Sequence, residues 1–229
     1  KVPRAASPQP ASASAVTFAR MAKHPEPGWS VPSQLSFVPG TRKIAYLASE
    51  QKNDVLSLFE YDEAQGATKV LLRAQDLVPK AGEVISKEEE LRRERQRLRT
   101  KGITSYAFAK QGGRLVVPFA GDVYLRESDG RVRALTATKE PELDPKICAS
   151  GEKVVYVRGP ELYAYDLASS KEVALTRGAK AHVTRGQSDY NSQEEFGEPS
   201  GFFLSPDCKS LVFLEVDDSE VDELVVPGY

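Results

Sequence analysis

The chain has 229 residues, 40% hydrophobic and 28% charged, with a formal net charge of −2. That length holds one large all-β domain or two small ones, and the near-neutral charge leaves no footprint for nucleic acid or an anionic membrane surface. The longest apolar runs are short, as in Leu211-Val212-Phe213-Leu214, far from the roughly 20 residues that span a bilayer.

Residues 1–33 are rich in Pro, Ser and Ala and are expected to form a leader or mobile segment. The chain starts at Lys1 rather than Met and has no apolar signal-peptide core, while Val225-Val226-Pro227-Gly228-Tyr229 closely follows a strand-like stretch. Together these features read as a processed or incomplete chain.

From residue 34 short apolar stretches alternate with Gly, Pro, Asp and Ser turns. Leu35-Ser36-Phe37, Lys43-Ile44-Ala45-Tyr46-Leu47, Leu56-Ser57-Leu58-Phe59-Glu60-Tyr61-Asp62 and Lys69-Val70-Leu71-Leu72 form a first unit. A second runs from Tyr106-Ala107-Phe108 through Arg114-Leu115-Val116-Val117-Pro118-Phe119 and Val123-Tyr124-Leu125 to Leu135-Thr136. A third runs from Pro145-Lys146-Ile147-Cys148 through Lys153-Val154-Val155-Tyr156-Val157 and Leu162-Tyr163-Ala164-Tyr165-Asp166 to Leu175-Thr176. The two Leu-Thr pairs lie 40 residues apart, and a fourth unit opens at Phe202-Phe203-Leu204-Ser205-Pro206-Asp207. A period near 40 residues holding four short strands is the signature of propeller blades. The fold is therefore expected to be all-β: about three and a half four-stranded blades of a larger β-propeller, occupying residues 34–229.

Two insertions interrupt the rhythm, and in a propeller they must leave from blade edges. Residues 74–103 carry a predicted helix near 86–99, with Ser86 and Glu89 as a capping box, acidic residues in its first turn and Arg95, Arg97 and Arg99 near its end. The second insertion, 177–200, carries Gln193-Glu194-Glu195-Phe196 on a predicted short helix or turn near 191–198.

The inventory of chemistry is short. The histidines are His24 and His182, no Gly-x-Ser-x-Gly elbow is present, and neither a zinc spacing nor a phosphate-binding Gly loop occurs, so no cofactor or metal is expected. Cys148 and Cys208 make too few cysteines for a disulfide framework. They read as small buried thiols, which favours a reducing, cytoplasmic location. The pair Glu194-Glu195 is open to two readings. A solvated acidic turn is one; a clamp for a primary ammonium, whose three donors suit two carboxylates, is the other. The Arg-rich helix is either a salt-bridged exposed helix or the source of an Arg that reaches a carbonyl in a cleft.

Five segments in order, Glu88-Glu89-Glu90-Leu91 through Arg97-Leu98, Gly102-Ile103-Thr104-Ser105-Tyr106, Asp144-Pro145-Lys146-Ile147-Cys148, Gln193-Glu194-Glu195-Phe196 and Gly201-Phe202-Phe203-Leu204-Ser205-Pro206-Asp207, resemble the propeller of dipeptidyl peptidase IV-like serine peptidases. The resemblance is greatest to the cytosolic dipeptidyl peptidases 8 and 9 and to bacterial relatives, and it covers about residues 34–218. It implies a propeller that caps an α/β-hydrolase domain carrying the Ser, Asp and His of the reaction. It also implies peptide substrates with a free N-terminus and release of N-terminal dipeptides with Pro or Ala second. Glu194 and Glu195 would bind the substrate ammonium and Arg97 the neighbouring carbonyl, with Arg93 or Arg95 as the alternatives after a small shift. The family's Asp-Arg-Tyr-Thr and Gly-Tyr-Trp-Trp stretches are replaced here by Gly197-Glu198-Pro199-Ser200 and Gly201-Phe202-Phe203-Leu204, a departure that bears on the pose of the insertion. A non-catalytic propeller that serves as a protein-interaction module is the rival reading, and a homodimer is left open.

Overall fold

The structure, a computed structural model, describes residues 17–22, 31–77 and 100–222. The helix expected near 86–99, with Arg97, and most of the leader, with His24, lie outside the described residues.

The first three sheets are built on meanders of four neighbouring strands, the order that hairpins joined by Gly- and Asp-containing turns produce. The first contains β1 (Ser33–Phe37), β2 (Lys43–Ala48), β3 (Val55–Asp62) and β4 (Ala67–Leu72), with the short helices α1 (Phe18–Met21) before it and α2 (Ala74–Leu77) after it. The chain returns through β5 (Lys101–Gly102), which joins β3 in parallel. The second sheet contains β6 (Ala107–Phe108), β7 (Leu115–Phe119), β8 (Asp122–Arg126) and β9 (Val132–Ala134). The third contains β10 (Glu142–Ile147), β11 (Lys153–Arg158), β12 (Glu161–Asp166) and β13 (Lys171–Ala174). A fourth is represented by β14 (Val183–Arg185), β15 (Phe202–Leu204), β16 (Leu211–Phe213) and β17 (Glu215–Asp217), with α3 (Tyr190–Glu194) between β14 and β15. This is the expected propeller portion.

Strand alternation decides the stacking. Leu115, Val117 and Phe119 of β7 pack with Leu47, Leu58 and Ile103 of the first blade, whereas Val116 packs with Val154 and Tyr156 of the third. On β11 itself the alternate residues Val155 and Val157 turn to Phe202 of the fourth. The second and third sheets thus each have two apolar faces and bury them in different neighbours. On the fourth sheet Phe203 and Val212 are exposed.

The Leu-Thr repeat has a hydrogen-bonding cause. The Val123 N–H donates to Thr136 Oγ1 at 2.9 Å and the Leu135 N–H to the Val123 carbonyl at 2.7 Å. In the next blade the Leu162 N–H donates to Thr176 Oγ1 at 2.9 Å and the Leu175 N–H to the Leu162 carbonyl at 2.8 Å. A threonine there satisfies a backbone amide just beyond the last residue pair between the blade's third and fourth strands. The Thr136 hydroxyl donates onward to Glu142, whose side chain is fully buried and lies 2.6 Å from Arg158 Nε. Arg158 also holds Glu172, which accepts from the Tyr156 hydroxyl. Burial and the Glu172 carboxylate push the Tyr156 phenol up.

The cysteines correct the sequence reading: Cys148 and Cys208 form a disulfide, with Cα atoms 5.8 Å apart, rather than standing as two buried thiols. Blade geometry explains the pairing. The N–H groups of Ala109, Cys148 and Ser205 each donate back across the first hairpin of their blades, to Arg114, Lys153 and Ser210, all at 2.9 Å. Gly151 and Cys208 then occupy the same place three residues later, donating at 2.9 Å to Cys148 and Ser205. A Cβ on Gly151 would lie 3.3 Å from Ala109 Cβ of the preceding blade. Cys208 stands in the same relation to Cys148, so the disulfide is the covalent form of a recurring contact between blades.

Two outcomes follow from this packing. Closing a 60-residue separation is worth about 2–4 kcal/mol, so Cys148→Ala with Cys208→Ala should lower the unfolding free energy by that amount, read by denaturant titration of oxidised wild type against the double variant. Arg158→Met leaves Glu142 buried without its cation and should cost about 3–5 kcal/mol, whereas Arg42→Met, whose pairing with Glu63 is exposed, should stay within about 0.5 kcal/mol.

Candidate functional site

The insertion is an excursion within one edge strand. β14 pairs with β17 and β15 with β16, and β16 and β17 are one stretch of chain joined at Leu214. The Leu214 carbonyl accepts from the Gly186 N–H at 2.9 Å, and its N–H donates to the Gly201 carbonyl at 2.7 Å. Gly186 and Gly201 therefore converge on a single residue, and everything between them loops out. An isolated bridge between Gln187 and Ser200 closes the root. Only glycine fits at 201, because a Cβ there would sit 2.3 Å from the Gln187 carbonyl carbon.

Within the loop Asp189 caps α3. Its carboxylate accepts from the Ser192 N–H at 3.1 Å and hydroxyl at 2.7 Å, and these bonds hold the Asp189 carboxyl below its ordinary value. The Ser188 hydroxyl donates to the Glu198 carbonyl at 2.6 Å, the Gln193 amide donates to the Ser188 carbonyl at 2.7 Å, and the Glu198 N–H donates to the Ser192 carbonyl at 3.0 Å. The loop is thus closed by its own polar groups.

Glu194 is the last residue of α3 and Glu195 its C-cap. Glu194 is half-buried and Glu195 exposed, and neither carboxylate has a hydrogen bond or ion pair among the described residues. Their position is electrostatically poor, since the C-terminal end of a helix carries partial negative charge and the two carboxylates repel. The other partly buried glutamates are paired. Glu142 meets Arg158, Glu60 meets Lys43 and Lys69, and Glu127 meets Arg114. Burial alone would raise the Glu161 carboxyl, but hydrogen bonds from Thr176, the Ala179 N–H and Arg185 hold it below its ordinary value. Exposed Tyr190 and Phe196 flank the Glu pair.

The predicted site residues are thus only partly brought together. Glu194 and Glu195 lie side by side on the insertion, while Arg97 lies outside the described residues. His182 pairs with Asp218 at 3.3 Å, and among the described residues no group of three or more His, Cys, Asp or Glu side chains is placed to hold a metal ion.

One residue given no role by the sequence reading stands at the root. β10 breaks register between Leu143 and Lys146, with Asp144 at φ 50°. The break accommodates Pro145, which has no N–H to give the ladder. Lys146 Nζ hydrogen-bonds to Ser200 Oγ and to the Phe202 carbonyl, lies 3.2 Å from Asp144 Oδ2 and stands 4.0 Å from the Phe202 ring centre. The Asp144-Pro145-Lys146 motif is visible in sequence, but its partner 54 residues away is not.

The chain is similar to known proteins. Residues 108–229 match the family described as the dipeptidyl peptidase IV (DPP IV) N-terminal region. Dipeptidyl peptidase 8 of Homo sapiens is 26% identical over 165 residues, spanning 60% of this chain and 18% of that protein. Dipeptidyl aminopeptidase B of Saccharomyces cerevisiae is 32% identical over 78 residues, spanning 33% of this chain and 10% of that protein. The crystal structure of Porphyromonas gingivalis dipeptidyl peptidase 4 superposes with a TM-score of 0.62 at 19% identity, covering 85% of this chain and 26% of that one. The chain thus spans about a quarter or less of the length of each of these relatives.

The root supplies a local test. Gly201→Ala drives a methyl group into backbone and should destabilise by about 1–3 kcal/mol. Limited proteolysis should then cut first within 187–200, whereas Gly197→Ala, where a Cβ meets nothing within 4 Å and the cost is that of a left-handed φ of 66° alone, about 1 kcal/mol, should lose less stability and be cut there more slowly than Gly201→Ala.

Proposed function

Because the chain belongs to the DPP IV N-terminal region family, we propose that it is the substrate-gating propeller segment of a serine dipeptidyl peptidase, and that Glu194 and Glu195 bind the ammonium of a peptide's free N-terminus. The observation that carries this reading is the carboxylate pair itself. It stands on a self-closed insertion in the matched region, at a helix end that disfavours negative charge, without a cationic partner among the described residues. A ligand ammonium supplies the missing charge and offers three donors to two carboxylates. The pair acts as a ruler: fixing the amine fixes which peptide bond lies two residues along. That contribution is positioning rather than bond-making.

In this reading Arg97 meets the carbonyl of the N-terminal residue. An α/β-hydrolase domain of the same polypeptide supplies the nucleophile and its base, and acyl transfer proceeds there. No Gly-x-Ser-x-Gly occurs in these 229 residues, so the chemistry is assigned outside them. The Cys148–Cys208 bond favours maturation in an oxidising compartment, where such bonds persist, over the cytoplasmic location expected from low cysteine use.

The test uses the full-length protein that carries this segment. Losing a charge-assisted hydrogen bond costs about 1.5–3 kcal/mol, so Glu194→Gln and Glu195→Gln should each lower kcat/KM on a glycyl-prolyl reporter by at least ~10-fold. Wild type should discriminate strongly against the N-acetylated reporter, and both variants should discriminate less. Full discrimination in both variants would mean that the amine is read elsewhere, and full-length protein without hydrolytic activity would favour the interaction-module reading.

A further inference from the structure

We propose that Lys146 is a positioning residue for the amine site: from the neighbouring blade it fixes the root of the insertion that carries Glu194 and Glu195. This rests on the reading of that pair as the amine clamp.

The insertion touches the third blade at both ends of its root. On the entering side the Gln187 side-chain amide donates to the Gly159 carbonyl in the turn between β11 and β12, at 3.2 Å. On the leaving side the contact is Lys146. Its ammonium has three protons, and three oxygens surround it: Ser200 Oγ, the Phe202 carbonyl and Asp144 Oδ2. The geometry to Asp144 is that of an ion pair rather than a hydrogen bond, since buried Asp144 Oδ2 has no hydrogen-bond partner among the described residues. Lys146 is thus the charge that keeps this buried oxygen compensated. The Phe202 ring lies under the same ammonium. Ser200 is five residues from Glu195 and bridges to Gln187, so a shift of Ser200 moves the frame on which the pair stands. Lysine suits the place because a compact ammonium can donate to the hydroxyl and the carbonyl and still face the Asp144 carboxylate, whereas the fork of arginine holds its donors in one plane.

The experiment compares Lys146→Met, Lys146→Arg, Ser200→Ala and Glu195→Gln in the full-length protein, using the glycyl-prolyl reporter and its N-acetylated form. A residue that poses the amine site acts on binding of the free-amine substrate. Lys146→Met should raise KM by about 5-fold or more with kcat within about 2-fold, and should narrow the discrimination between free and acetylated reporter. Lys146→Arg keeps the charge and should recover only part of that loss. Ser200→Ala removes one acceptor and should raise KM in the same direction by about 2-fold. Partial unfolding alone would lower kcat at unchanged KM, so the two causes separate. Unchanged KM and discrimination in Lys146→Met, with Glu195→Gln impaired, would overturn the role of Lys146 and leave the clamp standing. Should Lys146→Met fail to fold, wild-type KM in Ser200→Ala and Lys146→Arg would overturn it instead. Wild-type discrimination in Glu195→Gln would remove the clamp reading itself.

Discussion

A four-stranded sheet with apolar side chains on both faces is stable in water only between two others. That constraint generates most of what the chain displays. Strand alternation sends Leu115, Val117 and Phe119 one way and Val116 the other, and the next sheet repeats the division with Tyr156 and Val157. Because each sheet meets its neighbour in the same way, the contacts recur. Threonine closes the pairing of the third and fourth strands in two successive blades. The contact made by Ala109 and Gly151 returns one blade later as the Cys148–Cys208 bond. On the fourth sheet Phe203 and Val212 remain exposed.

The stacked faces leave no room for a binding loop inside the sheets. The chain resolves this by breaking an edge strand at Gly186 and resuming it at Gly201, both opposite Leu214. The excursion can be polar because its donors and acceptors are met within it. The glutamates that support the blades are neutralised by Arg or Lys, whereas Glu194 and Glu195 have no such partner among the described residues. The two adjacent carboxylates repel one another, and in the proposed reading a cationic ligand relieves that repulsion.

The fold was legible because blade stacking writes a period into the sequence. Leu-Thr pairs 40 residues apart and strand-sized apolar runs sufficed for the order of blades, but the second insertion, read as 177–200, is narrower in the structure: Val183–Arg185 is a strand of the fourth blade, and the excursion runs only from Gly186 to Gly201. The Glu pair was legible as a motif, but its lack of counter-ions was not, since a charge partner is identified only in space. The disulfide escaped for a related reason. Cys148 and Cys208 are 60 residues apart, a spacing made of one blade period plus the insertion, so nothing local marks them as neighbours. Lys146 escaped because its acceptors are a hydroxyl and a carbonyl on the next blade. A carbonyl partner leaves no trace in residue identity.

The most direct measurement of the account is a crystal structure of the full-length protein with glycyl-proline bound. The account places the dipeptide ammonium within hydrogen-bonding distance, about 2.7–3.2 Å, of both the Glu194 and the Glu195 carboxylates, with Ser200 still held by Lys146. An ammonium seated against other groups, with the Glu pair facing solvent, would contradict it.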